Sequence, residues 1–473
     1  MPNSLAYLAL ISWPIIGLSF FATMPTARAL LCTLFGGYLL LPPVANIDPP
    51  LIPTLDKFSI TNLTVLFGCL FVAREKFRLG YGLPIILLLL IAFVASPIVT
   101  VINNSEPLIF PRGFVPGLRM YDAISALMAQ CITIIPFFLG RFYFGSEAGH
   151  RQILFAFMVA GLAYALPMLV EIRLSPQLNI WVYGFFQHEF GQMMRGGGFR
   201  PIVFLDHGLL VALLAAFSAA SAAGLRRDGV VASRAMLTLT MGFLYVMLVL
   251  CKSLASLLYG TFLLPAITFL KVRRQIQIAA VFALIALSFP VLRGSGYVPV
   301  DAMLERAEAV SAERAQSLWF RFMNEDNLLA RAAEKPAFGW GLWGRNQIRD
   351  PVTGHMTSVT DGRWVIVIGT WGWLGYLAEF GLLCGPLLML AWRARKLPDV
   401  ALPTCTGAMA LILGINLADL LPNAPLRPYT WLMTGAILGF VERIANAQPD
   451  LSDPIETSDA PQAVPKARRK TII

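Results

Sequence analysis

LPIILLLLIAFVASPIVTV, from Leu83 to Val101, runs nineteen residues without a charged side chain. That is close to the roughly 20 apolar residues with which a helix crosses about 30 Å of hydrocarbon. Ile276 to Leu292 and Leu374 to Trp392 have the same character. Lipid offers no water to peptide groups, so stretches of this length must satisfy their own backbone as helices. A β-barrel would instead show segments of about ten alternating residues, and the sequence has none. Working outward from Leu83 to Val101, the apolar runs predict spans at 5–23, 28–45, 59–73, 81–103, 120–140, 152–172, 201–223, 235–251, 254–270, 276–292, 368–392, 400–420 and 428–444, thirteen in all within a range of 12 to 14.

Composition leads to the same class. Hydrophobic residues make up 57% and charged residues 14%, with a mean hydropathy of +0.67, whereas a soluble globular domain carries about 25% charged residues. The fold class expected is all-α: a polytopic integral membrane protein of about 12 to 14 transmembrane helices with a large, partly helical exterior loop. Ten spans fall in 1–292, the loop in 293–363 and the C-terminal spans in 364–444, and a tail at 445–473, rich in Pro, Ala and charge and carrying KARRK, reads as disordered. The first span lacks a basic n-region and others follow at once, so it reads as a permanent helix and not a cleaved signal.

Short loops keep Lys and Arg on the cytoplasmic side. Arg74, Lys76 and Arg78, then Arg141 and Arg151, then Arg226, Arg227 and Arg234, then Lys271, Arg273 and Arg274, then Arg393, Arg395 and Lys396 fall in alternate loops, which places those loops and the tail in the cytoplasm. The large loop then faces the periplasm or cell exterior. It holds nine basic and nine acidic side chains, so the chain's net charge of +10 resides elsewhere. That excess reflects topology and contact with anionic lipid; a nucleic-acid partner would require a clustered basic face on a soluble domain. Cys32, Cys69, Cys131, Cys251, Cys384 and Cys405 all sit in apolar segments, and His150, His188, His207 and His355 are scattered. The spacings that hold zinc are missing, so neither a disulfide nor a metal site is expected.

Three exterior segments carry the dense polar chemistry. The first, Arg195-Gly-Gly-Gly-Phe-Arg200-Pro201, leads into a span with Asp206 and His207. Its glycines leave the backbone free for φ > 0 and close approach to a ligand, and its arginines have the planar fork that suits phosphate. A flexible linker with arginines on lipid headgroups explains the same residues. The second is the Cys251-Lys252-Ser253 turn, where an ammonium could meet a lipid-linked phosphate or simply snorkel. The third is the loop Arg293 to Arg363. Arg314 and Arg321, seven residues apart with Ser317 between them, share a helix face; pairing with Glu313 and Glu325 is the plainer fate of such charges. Downstream, PAFGWGLWG alternates glycine with large rings. That pattern suits close backbone packing, a sugar-stacking platform, or interface anchoring by Trp340 and Trp343.

Taken together, GGFRP before the span containing His207, the KS turn, R..SL..R over 314–321, P.FGWG over 336–341 and GTWGWLG over 369–375 resemble the O-antigen ligase and O-antigen polymerase family of bacterial envelope glycan enzymes, across residues 190–390. The resemblance implies a multi-pass glycosyltransferase of the bacterial inner membrane with a periplasmic active face. Such an enzyme transfers undecaprenyl-diphosphate-linked oligosaccharide to an acceptor glycan without a metal or cofactor, in contact with membrane lipids; a non-catalytic membrane scaffold whose large loop binds a chain-length regulator or secretion partner is a further reading. Cations must hold the departing diphosphate and a base must take the acceptor proton. Arg195, Arg200, His207, Lys252, Arg321, Trp340, Arg345 and Arg363 are the substrate-binding candidates, and Arg314, Asp361 and His355 the catalytic ones.

One departure matters. The family's His-Asn pair, eleven residues before the first glycine of the final G-x-x-G, is here Asp361-Gly362. A carboxylate can serve as base, which makes Asp361 the first choice and His355 the second; Asp361 could equally cap the helix that follows. Without the histidine, a polymerase of exopolysaccharide or O-antigen repeat units is favoured over a ligase that completes lipopolysaccharide on lipid A-core. The competing class, a transporter or flippase for lipid-linked oligosaccharide, would concentrate charge within the spans.

Overall fold

The computed structural model describes residues 1–49, 52–74 and 83–447. Lys76, Arg78 and residues 448–473 lie outside the described residues, while 445–447, the start of the expected tail, continue the last helix. The protein is mostly helical, with helices α1 (Ser4–Thr23), α2 (Thr26–Leu40), α3 (Lys57–Phe67), α4 (Pro84–Ile102), α5 (Met120–Tyr143), α6 (Glu147–Leu174), α7 (Leu178–Tyr183), α8 (Gly208–Asp228), α9 (Arg234–Leu250), α10 (Leu254–Phe269), α11 (Val272–Gly294), α12 (Val300–Val310), α13 (Ala312–Ala333), α14 (Arg363–Ala394), α15 (Thr404–Asp419) and α16 (Pro428–Ala447). Among the described residues seven of these, α1, α4, α5, α6, α8, α11 and α14, are long and apolar enough to cross a membrane, and α2, α3, α9, α10 and α15 are shorter apolar helices. The strands form two small hairpins in connecting segments: β1 (Leu108–Phe110) with β2 (Gly113–Val115), and β3 (Met194–Arg195) with β4 (Gly198–Phe199).

A helix that is apolar all round belongs in the interior, and α8 is one. Leu210 to Leu225 are all buried, most of them Ala, Ser, Gly or Leu. Small residues let neighbouring helices approach closely. The same device joins α5 to α16, where a Cβ on Gly435 would collide with the Phe137 carbonyl and one on Gly439 with the Arg141 carbonyl.

The connecting segments gather at two ends. At one, Lys57 and Arg427 both reach Asp206, Lys252 reaches the segment before α8, and Lys335 reaches the end of α4. At the other, Arg151 pairs with Asp228, Arg141 with Glu442 and Arg273 with Asp399.

Helix α2 ends at Leu40 and not 45, and α6 begins at Glu147 and not 152; two further differences shape the site. Helix α8 begins at Gly208 and not near 201, because Ile202 and Val203 give their N–H groups to Glu171 Oε2 (2.8 and 2.7 Å) and His207 caps the helix through Leu209 N–H. Helix α14 breaks at Gly372 (φ 66°, ψ −167°), a region open essentially to glycine alone. Sixteen residues of straight helix would hold Arg363 and Glu379 about 24 Å apart, yet Arg363 Nε and Nη2 bond the Glu379 carboxylate at 2.6 and 2.7 Å. The first turns of α14 therefore fold back on the rest. The exposed peptide groups at the break are taken by the PAFGWG turn: Trp373 N–H donates to Pro336 O (2.8 Å), and Trp340 N–H to Gly369 O (2.9 Å). The P.FGWG and GTWGWLG motifs are two halves of one joint.

Candidate functional site

The site is assembled on the segment that precedes α8. Gly196 and Gly197 both adopt positive φ (52° and 69°), as a two-residue hairpin turn between right-twisted strands requires. The glycine run thus has a turn to make. Lys252, itself at φ 51° in the corner between α9 and α10, spans the gap and donates from Nζ to Arg195 O (2.9 Å) and Gly196 O (3.2 Å). The glycine hairpin and the KS turn, 56 residues apart in sequence, form one unit.

Arg200 follows directly. Its guanidinium stem lies over the start of α8, where a Cβ on Gly208 would stand 2.9 Å from Arg200 Cδ and Nε. The residue is 1% exposed, and Nε and Nη2 have no hydrogen-bond partner. The titratable groups bearing on it are Arg195 and the neutral Cys251 thiol, with no carboxylate among them. Burial and then Arg195 push its pKa down to about 10. A buried cation with no counter-ion carries a penalty of several kcal/mol, and the positive end of the α8 dipole adds to it.

His207 sits beside this cation, half-buried, with its ring edge-on to His188 at 4.4 Å. Its Nδ1 accepts from Leu209 N–H at 2.9 Å, so the neutral ring carries its proton on Nε2. Burial, then His188, Arg200, Arg195 and Arg321, push its pKa down to about 3. It is therefore a neutral hydrogen-bond donor at physiological pH. The influence of Arg321 also brings α13 into the same neighbourhood as the hairpin.

Beneath these groups the backbone is tied down. Glu171 accepts from Leu178, Ile202 and Val203 N–H. Tyr164 Oη accepts from Phe204 N–H (3.0 Å), and Lys57 Nζ donates to Phe204 O (3.2 Å). Asp206 lies 3.9 Å from Lys57 and 2.5 Å from Arg427. Burial would raise its pKa, but those two cations hold it below the usual carboxylate range.

Helix α13 supplies the other wall. Arg321 Nε lies 3.3 Å from Asp361, so its partner is that residue and not the Glu325 one turn on. Glu325 faces Arg293, from the end of α11, at 3.7 Å. The Arg314 side chain lies outside the described residues.

Four further candidates are placed elsewhere. Trp340 is buried, donates from Nε1 to Arg331 O (2.7 Å), and has the Arg331 guanidinium 3.3 Å from its ring centre and Lys335 at 4.6 Å; it packs the joint, and sugar stacking would require those cations to leave. Arg345, 1% exposed, donates to Pro116 O and Glu106 O, both at 2.9 Å. Arg363 is engaged by Glu379. His355 is exposed on a turn closed by Asp350 N–H to His355 O (2.8 Å), against the β1–β2 hairpin. The residues brought together are Arg195, Arg200, His207, Lys252, Arg321 and Asp361. Lys57, Glu171, His188, Glu325 and Arg427 join them without having been read as site residues.

Between α2 and α6 an apolar groove of about 590 Å³ runs from Arg28 and Arg151 at the far end to Leu40 and Phe204 beside the site. Compared with protein-family models and with curated proteins, the chain matches none.

Proposed function

We propose that this protein is a multi-pass membrane glycosyltransferase that takes an undecaprenyl-diphosphate-linked oligosaccharide and transfers it to an acceptor sugar, acting as a polysaccharide polymerase on the periplasmic face of the inner membrane. The observation that carries the reading is Arg200: a buried guanidinium with two unpartnered nitrogens and no facing carboxylate, with Arg195 bearing on it and Arg321 on the neighbouring His207. An anion in reach would offset the cost of burying such a group, and a diphosphate leaving group develops charge as the glycosidic bond breaks. His207 Nε2–H adds a neutral donor. The groove beside Phe204 offers an apolar channel for a long isoprenoid chain whose head lies at the cations. The absent His-Asn pair argues for polymerase over ligase, as in the sequence.

The test is reconstitution. Purified protein in liposomes, given lipid-linked repeat units, is expected to form polymer; glycan crossing the bilayer without polymer would make it a flippase, and neither outcome would leave a non-catalytic scaffold. In cells deleted for the gene, Arg200→Ala and Arg321→Ala are expected to insert normally and yield no high-molecular-weight polysaccharide, and normal chain lengths in both would overturn the site.

A further inference from the structure

We propose that Glu325 is the general base that takes the proton of the acceptor hydroxyl, a role for which the sequence pointed first to Asp361. The inference rests on the glycosyltransferase reading above and assigns within it the one group still missing.

Two carboxylates stand on this wall, and their surroundings differ. Asp361 is matched to Arg321 at 3.3 Å and a third of its side chain is open to solvent. Glu325 is only 10% open, and its Oε2 is buried without a hydrogen-bond partner. Its nominal partner Arg293 gives its short contact, 2.6 Å, to Asp326 and stands 3.7 Å from Glu325, beyond hydrogen-bond length. The charged groups facing Glu325 are therefore Arg293 from α11, Asp326 from its own helix, and Asp361 from the strand of chain before α14, with Arg321 one turn back. Burial lifts its pKa to about 7 against the pull of Arg293, and Asp326 and Asp361 reinforce the rise. Two neighbouring carboxylates whose environments differ in this way divide into a fixed ion-pair member and a proton carrier. A base works best with a pKa near the working pH.

In the step, the acceptor oxygen forms a bond to the anomeric carbon while its proton passes to the Glu325 carboxylate. The bond from the anomeric carbon to the diphosphate oxygen breaks, its electron pair leaves on the diphosphate, and Arg200, Arg195 and Arg321 hold that charge. No oxidant, metal or further reactant enters.

The experiment uses the full-length protein in liposomes with undecaprenyl-diphosphate glycan extracted from cells deleted for the gene, and measures binding and turnover across pH 5 to 9. Wild-type turnover is expected to rise with pH through a limb near 7, because the base must be unprotonated. Glu325→Gln should bind the lipid-linked glycan as wild type does but lose turnover by about 10²- to 10⁴-fold, together with the limb. Asp361→Asn should keep a limb, moved to lower pH by removal of a neighbouring negative charge. Glu325→Asp serves where the glutamine variant fails to bind: a displaced limb supports the assignment, and an unmoved one overturns it. Turnover of Glu325→Gln close to wild type with the limb in place overturns the base while leaving the transferase reading intact. A wild type that neither binds nor converts the glycan removes both.

Discussion

Replacing Arg200 with methionine separates what this residue does for the fold from what it does for a ligand. Methionine keeps an unbranched apolar stem over Gly208 and removes the charge. Burial and Arg195 lower the Arg200 pKa from 12.5 to about 10, and at about 1.4 kcal/mol per pKa unit the charged form is disfavoured in the fold by about 3 kcal/mol. The sign follows from the direction: a cation whose folded pKa is depressed destabilises the fold at every pH below about 10, and the penalty fades only as pH climbs toward the unfolded value. Arg200→Met should therefore raise the thermal midpoint in detergent at pH 7 by several degrees, which is unusual for a change at a fully buried position. Inorganic pyrophosphate should reverse the ranking. A ligand that binds only the native state adds about 2.7 kcal/mol at one hundred times its dissociation constant, so wild type should gain and the variant should not. A variant that unfolds earlier than wild type, or that gains equally from pyrophosphate, would refute the reasoning, since Arg200 would then have a partner other than a bound anion.

Other consequences are more local. Gly372→Ala forces a Cβ into the Ala337–Phe338 peptide and a backbone region costing about 1–3 kcal/mol for other residues; it should lower the thermal midpoint and release the Arg363–Glu379 pair, and an unchanged melting curve would show that the corner tolerates a side chain. Lys252→Met removes both bonds to the glycine hairpin, so limited proteolysis is expected to cut at Gly196–Gly198 at least several times faster than in wild type, while equal rates would make the lysine a bystander.

Much of the helical framework was legible because hydropathy is local: the run at Leu83 to Val101 needs no distant partner to declare itself, and α4 spans Pro84–Ile102. The break in α14 was written in the sequence as glycines at 369, 372 and 375, but glycines in an apolar run also serve close helix packing, and only the facing PAFGWG turn decides between the two. The site divides in the same way. The glycine hairpin, the KS turn and Arg321 could be listed as polar segments between apolar runs, and the structure joins the first two through Lys252 and brings Arg321 to bear on His207. Lys57, Glu171 and Arg427 could not be found, because their meaning lies in partners far along the chain; Lys57 bonds a carbonyl 147 residues away. Trp340 could be read three ways, as close packing, sugar platform or interface anchor, and only the fold shows its ring covered by Arg331 and Lys335.

The way the segment from Ile202 to His207 is held bears on whether the site does chemistry or carries cargo across. A carrier exposes its binding charges to each side of the membrane in turn, largely by rocking one bundle against another. Here Glu171 fixes the segment to α6 through two backbone N–H groups and Leu178 through a third, Lys57 fixes it to α3, and Asp206 fixes it to Arg427 ahead of α16. Hydrogen bonds to charged groups contribute about 1.5–3 kcal/mol each, so moving Arg200 toward the opposite end means breaking several such bonds at once, around a helix, α8, that is buried on all sides. A site held this firmly suits a reaction that needs its groups preorganised. Hydrogen exchange reads the difference directly: the amides of Ile202 and Val203 should be among the slowest of any loop in the protein, with Glu171→Gln accelerating both by at least tenfold. Fast exchange at these amides in the wild type would show that the segment opens readily, as passage and not fixed chemistry requires.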